Sequence, residues 1–260
     1  MKEKQQEKEL RVKDNLTIID ADFIIFCTGY TKDGNEEKSL EETLEATDDF
    51  IRQILIATRG EYYIGCLTQG KCFRYKVNPQ YKANRVYKTK LPFYAEIKEH
   101  MRAKWGFIFN EELEADDLCA IAKKQYANDY NIITASPDKD VLNLNGNNYD
   151  YKNHKFKLCY KEQEEHHFWA SMIIGDAADG IKGIPGKGKV FAQSRLSIYV
   201  ECEYAQIILR DYIDYFGEQK GIEEFYKNYK SLKIVDEWNG YKVHEPIKFS
   251  EVDEYKEEDN

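Results

Sequence analysis

Short apolar segments alternate with longer amphipathic ones through the first half of this chain. Such a run buries its strands most readily in a parallel sheet with helices on both faces. Leu16 to Asp20 is an apolar strand ending in an acid. Ser39 to Thr58 places Leu40, Leu44, Phe50, Ile51, Ile54 and Leu55 at helical spacing, with Ser39 and Glu42 set to form a capping box. Glu61 to Leu67 reads as a second strand and Asn131 to Ala135 as a third, while Leu91 to Lys104 and Leu113 to Tyr126 read as helices. The remainder reads as mostly helical, including the aromatic stretch YIDYFGEQKGIEEFYKNY as a helical pair closing the core. Its clearest break is GIKGIPGKG, Gly180 to Gly188, where four glycines and a proline call for a tight turn between two helices.

A chain of 260 residues with 42% hydrophobic content can bury a substantial core. The longest apolar run, Phe23 to Cys27, is far short of the roughly 20 residues of a membrane helix. The opening MKEKQQEKELRVKD has no apolar signal core, so a cytoplasmic, membrane-free protein is expected. Six cysteines with neither CxxC pairing nor regular spacing read as reduced core residues.

The net charge of −9 argues against a nucleic-acid partner until its distribution is examined. Arg74 to Lys90 holds Arg74, Lys76, Lys82, Arg85, Lys88 and Lys90 with Tyr75, Tyr81 and Tyr87 interleaved and no acid. Gly180 to Arg195 holds Lys182, Lys187, Lys189 and Arg195, again without an acid. Acids gather instead near strand and helix ends: Asp20, the EADD of Glu114, Asp116 and Asp117, the SPDKD of Asp138 and Asp140, and the GDAADG of Asp176 and Asp179. In open α/β sheets the ligand crevice lies beyond the carboxyl ends of the strands. Spaced i and i+3, Asp176 and Asp179 share one face if the chain is helical there. Any one of these motifs alone reads equally as a helix cap or a turn. Together, eight grouped carboxylates repel one another unless divalent cations neutralise them, and oxygen-only ligation suits Mg²⁺ or Mn²⁺. His166 and His167 read as an exposed helix face.

The segments IIDAD, FRYKVNPQYKANR, EADD, SPDKDVLNL and IIGDAADGIKGIPGKGKVFA, from about Leu16 to Leu196, resemble the 5′ nuclease family of phage 5′-3′ exonucleases, polymerase I 5′ nuclease domains and flap endonucleases. The resemblance implies a PIN-like parallel α/β sheet flanked by helices, a helical arch, and a C-terminal helical part with a helix-hairpin-helix (helix-three-turn-helix) element. On that scheme residues 1–14 are a charged extension, 15–165 the core with its arch near 74–104, 166–250 the hairpin and C-terminal helices, and 251–260 an acidic tail.

By the same resemblance Asp20, Glu114, Asp116, Asp117, Asp138, Asp140, Asp176 and Asp179 are metal-site carboxylates for two Mg²⁺ or Mn²⁺ ions. Lys82 and Arg85 face the scissile phosphate, and Arg74, Lys182, Lys187 and Lys189 join them in binding nucleic acid. The implied activity is metal-dependent hydrolysis of duplex, flap or branched DNA, or of RNA:DNA hybrid, in replication or recombination, with a phage source suggested by size. Two other readings stay open: a catalytically weakened DNA-structure-binding protein of this fold, and a PIN-like ribonuclease on single-stranded RNA. The chain departs from the family pattern at Leu67-Thr68-Gln69-Gly70, where an acid usually precedes the Phe73-Arg74 pair, at Cys27 in place of a basic residue, and at Val190 in the hairpin. If the first strand continues past Asp20, Asp22 faces the same side and can supply the absent carboxylate.

Overall fold

The computed structural model describes residues 13–29, 38–85 and 91–252. Residues 1–12, the Tyr87, Lys88 and Lys90 of the basic run, and the acidic end from residue 253 lie outside the described residues.

The chain order is β1 (Asn15–Asp20), α1 (Asp22–Thr28), α2 (Leu40–Thr58), β2 (Tyr62–Cys66), α3 (Arg74–Val77), α4 (Tyr94–Trp105), α5 (Ala115–Tyr126), β3 (Asn131–Ala135), β4 (Gly146–Asp150), β5 (Lys155–Cys159), α6 (Lys161–Ile174), β6 (Gly175–Asp176), β7 (Ile181–Lys182), α7 (Lys189–Ser197), α8 (Tyr204–Phe216), α9 (Glu218–Leu232), β8 (Ile247–Lys248) and α10 (Phe249–Val252). The six-stranded sheet runs β5-β4-β3-β1-β2-β8. Its four inner strands are parallel and its two edges antiparallel. The central strand β1 shows why the first half of the sequence reads as it does. Leu16 and Ile18 enter one apolar cluster with Leu118, Cys119 and Ala122 of α5, while Ile19 enters the opposite cluster with Ile24, Ile51 and Met101. A strand covered on both faces is apolar throughout rather than alternating. A third cluster, built from Trp169, Met172, Leu196, Ile208, Tyr212 and Phe225, joins α6, α7, α8 and α9.

The capping box expected at the start of α2 is present: the Glu42 N–H donates to Ser39 Oγ and the Ser39 N–H donates to the Glu42 carboxylate. The structure corrects two other expectations and adds to a third. The residues after β3 are mainly helical, through α6, α7, α8 and α9, but they also carry the antiparallel β4–β5 hairpin and the strand β8 that closes the far edge of the sheet. In β5 the apolar positions Phe156 and Leu158 are 59% and 52% exposed, so the periodicity that marks a half-buried strand has no core beneath it here. The first strand ends at Asp20, and Asp22 opens α1. The helices α6 and α7 are separated by the short β6–β7 ladder as well as by the glycine turn, so Asp176 and Asp179 do not share a helical face. That ladder requires glycine at two places, since a Cβ on Gly183 would stand 2.2 Å from the Ile173 carbonyl oxygen and one on Gly175 2.3 Å from the Gly183 nitrogen.

One buried carboxylate ties α2 to α4. Asp48 accepts from Trp105 Nε1 at 2.6 Å and Lys104 Nζ at 2.6 Å, and His100 Nε2 lies 2.7 Å from it. Burial works to raise the Asp48 carboxyl, but these three partners outweigh it and hold it below its ordinary value. A depressed carboxyl stabilises the fold above its unfolded pKa, and that contribution disappears as pH falls through the folded value. Asp48→Asn is therefore expected to lose about 2–4 kcal/mol at pH 7. Urea unfolding should show the gap to the unaltered protein closing below about pH 4.

Candidate active site

Parallel pairing of β1 with β2 and β3 brings three chain exits to one edge of the sheet. Asp20 pairs with Cys66 across β1 and β2, and Ile19 pairs with Ala135 across β1 and β3. Ser136 then stands beside Asp20. Its hydroxyl donates to Asp20 Oδ2 at 2.7 Å and accepts from the Asp138 N–H at 3.0 Å, so one side chain organises acids from two strands. Burial, followed by the nearby Asp22 charge, pushes the Asp20 carboxyl up to about 7. Burial also raises Asp138, with Asp140 adding repulsion.

Asp22 does not lie on an extended strand. Its Oδ1 accepts from the Thr68 N–H at 2.9 Å, and Thr68 in turn offers its hydroxyl to the Ala115 N–H at 2.9 Å. Lys98 of α4 donates to the Thr68 carbonyl. Leu67 is fully buried. The loop after β2 thus contributes backbone and a hydroxyl where a carboxylate was missed in the sequence.

The first turn of α5 divides its acids between two roles. Asp117 is fully buried and receives Arg74 Nη1 at 2.6 Å and Nη2 at 2.7 Å, with the Glu114 and Val235 N–H groups completing its partners. Asp117, expected among the metal carboxylates, thus has both oxygens on protein partners and lies inside the fold rather than at its acidic edge. Arg74, expected to join in binding nucleic acid, is enclosed with it: at 2% exposure it also donates to the Ser231 and Lys233 carbonyls. Among the described residues Asp116 forms no such ion pair, although Arg74 and Lys82 act on it from a distance. Burial and the adjacent Asp117 charge push its carboxyl well above the ordinary range.

The YKANR segment lies directly against these acids. Tyr81 Oη donates to Glu114 Oε2 at 2.6 Å and stands 3.1 Å from Asp179 Oδ2. Lys82 pairs with Glu114 and lies 4.0 Å from Asp179, while Arg85 pairs with Asp179. The Lys82 N–H and Asn84 Nδ2 donate to the carbonyls of Asp179 and Ala177, docking the segment on the turn after β6. Lys82 has φ 55°, so the side chain that reaches Glu114 does so from a left-handed backbone position. Burial opposes the Lys82 charge, but Glu114 and Asp179 raise its pKa overall. Burial likewise opposes ionisation of Glu114, and Lys82 with Arg74 overcomes it. In the sequence Tyr81 is one aromatic among several; its hydroxyl between two acids is visible only once residues 33 and 98 positions away are brought to it.

The remaining acids sit beside this group. Asp176 accepts from Lys139 Nζ at 2.8 Å and from the Ala178 N–H at 2.7 Å. Asp140 Oδ1 is 2.7 Å from His167 Nε2, so His167 faces an acid rather than open solvent. Lys182 and Lys189 are exposed on the β7–α7 turn, and Lys187 Nζ lies 4.1 Å from the centre of the Phe191 ring. Among the described residues no three Asp, Glu, His or Cys side chains converge as a ready ligand set. Asp20, Asp116 and Asp138 are nonetheless hard oxygen donors whose charge the fold penalises, and this donor chemistry fits a hard divalent cation.

A parallel sheet flanked by helices, with buried acids at its carboxyl edge and a lysine–arginine segment lying across them, defines the PIN-like nuclease class. The chain belongs to the 5′-3′ exonuclease family, whose N-terminal resolvase-like domain its residues 15–170 match. It is 28% identical over 198 residues to DNA polymerase I of Borreliella burgdorferi, covering 69% of this chain and 20% of that one, so it spans about a fifth of that relative's length. Among solved structures it resembles the bacteriophage T5 protein co-crystallised with metal ions, with TM-score 0.68 and 19% identity over 85% of this chain and 89% of the other. A T5 flap endonuclease complex with DNA and metal ions gives TM-score 0.65 and 20% identity over 85% and 89%. At these identities the two structures establish a shared fold. Among the described residues no helix is long and apolar enough to cross a membrane.

The two kinds of acid make opposite predictions. Asp117→Asn removes the partner of a buried guanidinium and should cost about 3–5 kcal/mol in urea unfolding. Asp20, with its folded pKa raised to about 7, contributes stability that is present below about pH 4 and lost as pH rises through 7. Asp20→Asn should abolish that loss. In metal-free buffer at pH 8 the variant should exceed the unaltered protein by roughly 2–4 kcal/mol.

Proposed function

We propose that this chain is a divalent-metal-dependent, structure-specific 5′ nuclease that hydrolyses phosphodiester bonds in flap, branched or duplex DNA, or in RNA:DNA hybrid, during replication or recombination. The observation behind this reading is the seating of Lys82 and Arg85 on Glu114 and Asp179, beside the penalised acids Asp20, Asp116 and Asp138. Cations and acids held together in this way suit a phosphate that arrives with metal ions. Asp20, Asp116 and Asp138, with Glu114, Asp140, Asp176 and Asp179 around them, are the residues that would hold Mg²⁺ or Mn²⁺, two ions on the family pattern. Bound there, such ions supply charge neutralisation and an activated water for in-line displacement.

The chain's own residues have distinct tasks. Lys82 and Arg85 exchange their carboxylate partners for phosphate oxygens and stabilise charge that builds during bond cleavage. Lys182, Lys187 and Lys189, around a glycine turn that presents backbone N–H groups, bind the duplex through its backbone without reading bases. Family membership and the T5 complex with DNA and metal ions support this assignment. A second reading, a catalytically weakened DNA-structure-binding protein, is favoured by one observation: the loop at Leu67 and Thr68 brings no acid, and Lys98 sits on the Thr68 carbonyl.

Single-turnover cleavage of a labelled 5′-flap duplex with Mg²⁺ separates the two. The nuclease reading expects cleavage that Asp138→Ala abolishes while flap binding persists, and a rate about 10²–10³ lower for Lys82→Ala. Flap binding without cleavage at any Mg²⁺ or Mn²⁺ concentration would instead establish the weakened protein.

A further inference from the structure

The helix α3 has a second face. Arg74 turns inward to Asp117, whereas Phe73 and Val77 line an open, mainly apolar cavity of about 450 Å³. Tyr229 of α9 and Trp238 of the segment that follows line it as well. Trp238 stacks on Phe73 with ring centres 4.6 Å apart and planes at 30°. Both rings are held in place. The Arg74 guanidinium lies 4.7 Å from the Phe73 ring centre, the Phe73 N–H donates to the Glu112 carbonyl at 2.8 Å, and Trp238 Nε1 donates to Glu112 Oε2 at 3.2 Å.

Charge around this cavity runs against the chain's average. Lys76, Lys230 and Lys233 surround it in a protein of net charge −9. Among the described residues Glu112 is its one acidic lining residue, and Lys76 Nζ already pairs with Glu112 Oε1 at 3.2 Å. Aromatic faces bordered by cations are the elements with which proteins hold single-stranded nucleic acid, the rings stacking bases and the cations meeting phosphates. Continuity with the acidic site favours nucleic acid over an acidic peptide. The helix α3 ends at Val77 and the chain continues through Asn78 to Tyr81, Lys82 and Arg85, so a strand lying along that segment is led from the acids toward Phe73 and Trp238.

We propose that this cavity is a subsite for the single-stranded arm of the substrate, with bases stacking on Trp238 and Tyr229 and phosphates meeting Lys76 and Lys230. The proposal rests on reading the acidic site as a nuclease centre, yet its test does not depend on cleavage. Trp105 and Trp169 are buried, so quenching of tryptophan emission by an eight-residue oligothymidylate reports on Trp238. Oligothymidylate should quench the full-length protein, and Trp238→Phe should bind it without quenching. Trp238→Ala should bind about tenfold more weakly. Lys76→Ala with Lys230→Ala should reduce the slope of log affinity against log salt by about 1.4, the value for two single-strand phosphate contacts. The same double variant should bind blunt duplex unchanged. The subsite is overturned if oligothymidylate leaves the emission unaltered at concentrations where flap DNA is bound, if all variants share one affinity and slope, or if only an acidic aromatic peptide quenches. Failure of flap cleavage with quenching intact would overturn the nuclease reading and leave the single-strand site standing.

Discussion

The guanidinium of Arg74 meets Asp117 and Glu114 on α5 and the carbonyls of Ser231 and Lys233 at the end of α9. Three stretches of chain far apart in sequence are thereby fixed around one buried charge. A lone buried cation is strongly unfavourable, so Asp117 must stay in place beside Arg74, and the first turn of α5 is immobilised with it. Glu114 is the N-cap of that turn, which sets where Tyr81 and Lys82 can dock. Positions at the acidic edge of the sheet therefore depend on an ion pair buried behind it.

The same edge holds more negative charge than the protein balances. Glu114 and Asp176 are kept below their ordinary pKa because their cations outweigh burial, whereas Asp20, Asp116 and Asp138 are raised. Concentrating perturbed carboxyls in one place costs stability, and such sites are where function is most often found. Lys82 and Arg85 rest on these acids from a segment held mainly by hydrogen bonds to the Asp176–Gly180 turn. Exchange of these contacts for phosphate contacts needs no change in the sheet.

Much of this architecture was legible locally. Apolar strands at Leu16–Asp20 and Asn131–Ala135, the Ser39–Glu42 capping box and the acids at strand ends all express short-range rules of periodicity and capping, and the structure contains each. What escaped the sequence depends on distant pairing. Nothing near Asp117 separates it from Asp116; only Arg74, 43 positions away, makes one an anchor and leaves the other exposed to repulsion. Tyr81 escaped because its partners are remote, and the β4–β5 hairpin because β4, Gly146–Asp150, has no apolar alternation to pair with Phe156 and Leu158 of β5. Asp22 was misplaced by assuming that an apolar run continues a strand, when Asp22 to Thr28 is a helix.

The proposed nuclease requires divalent cations to balance the raised acids at the ends of β1 and β3. Calorimetric titration with Mn²⁺ at pH 7, repeated in two buffers of different ionisation enthalpy, reads both the binding and the protons coupled to it. With burial pushing the Asp20 carboxyl up to about 7, Mn²⁺ binding should release protons, and Asp20→Asn should lose that release. Absence of Mn²⁺ binding, or identical proton release in the two proteins, would overturn the metal site.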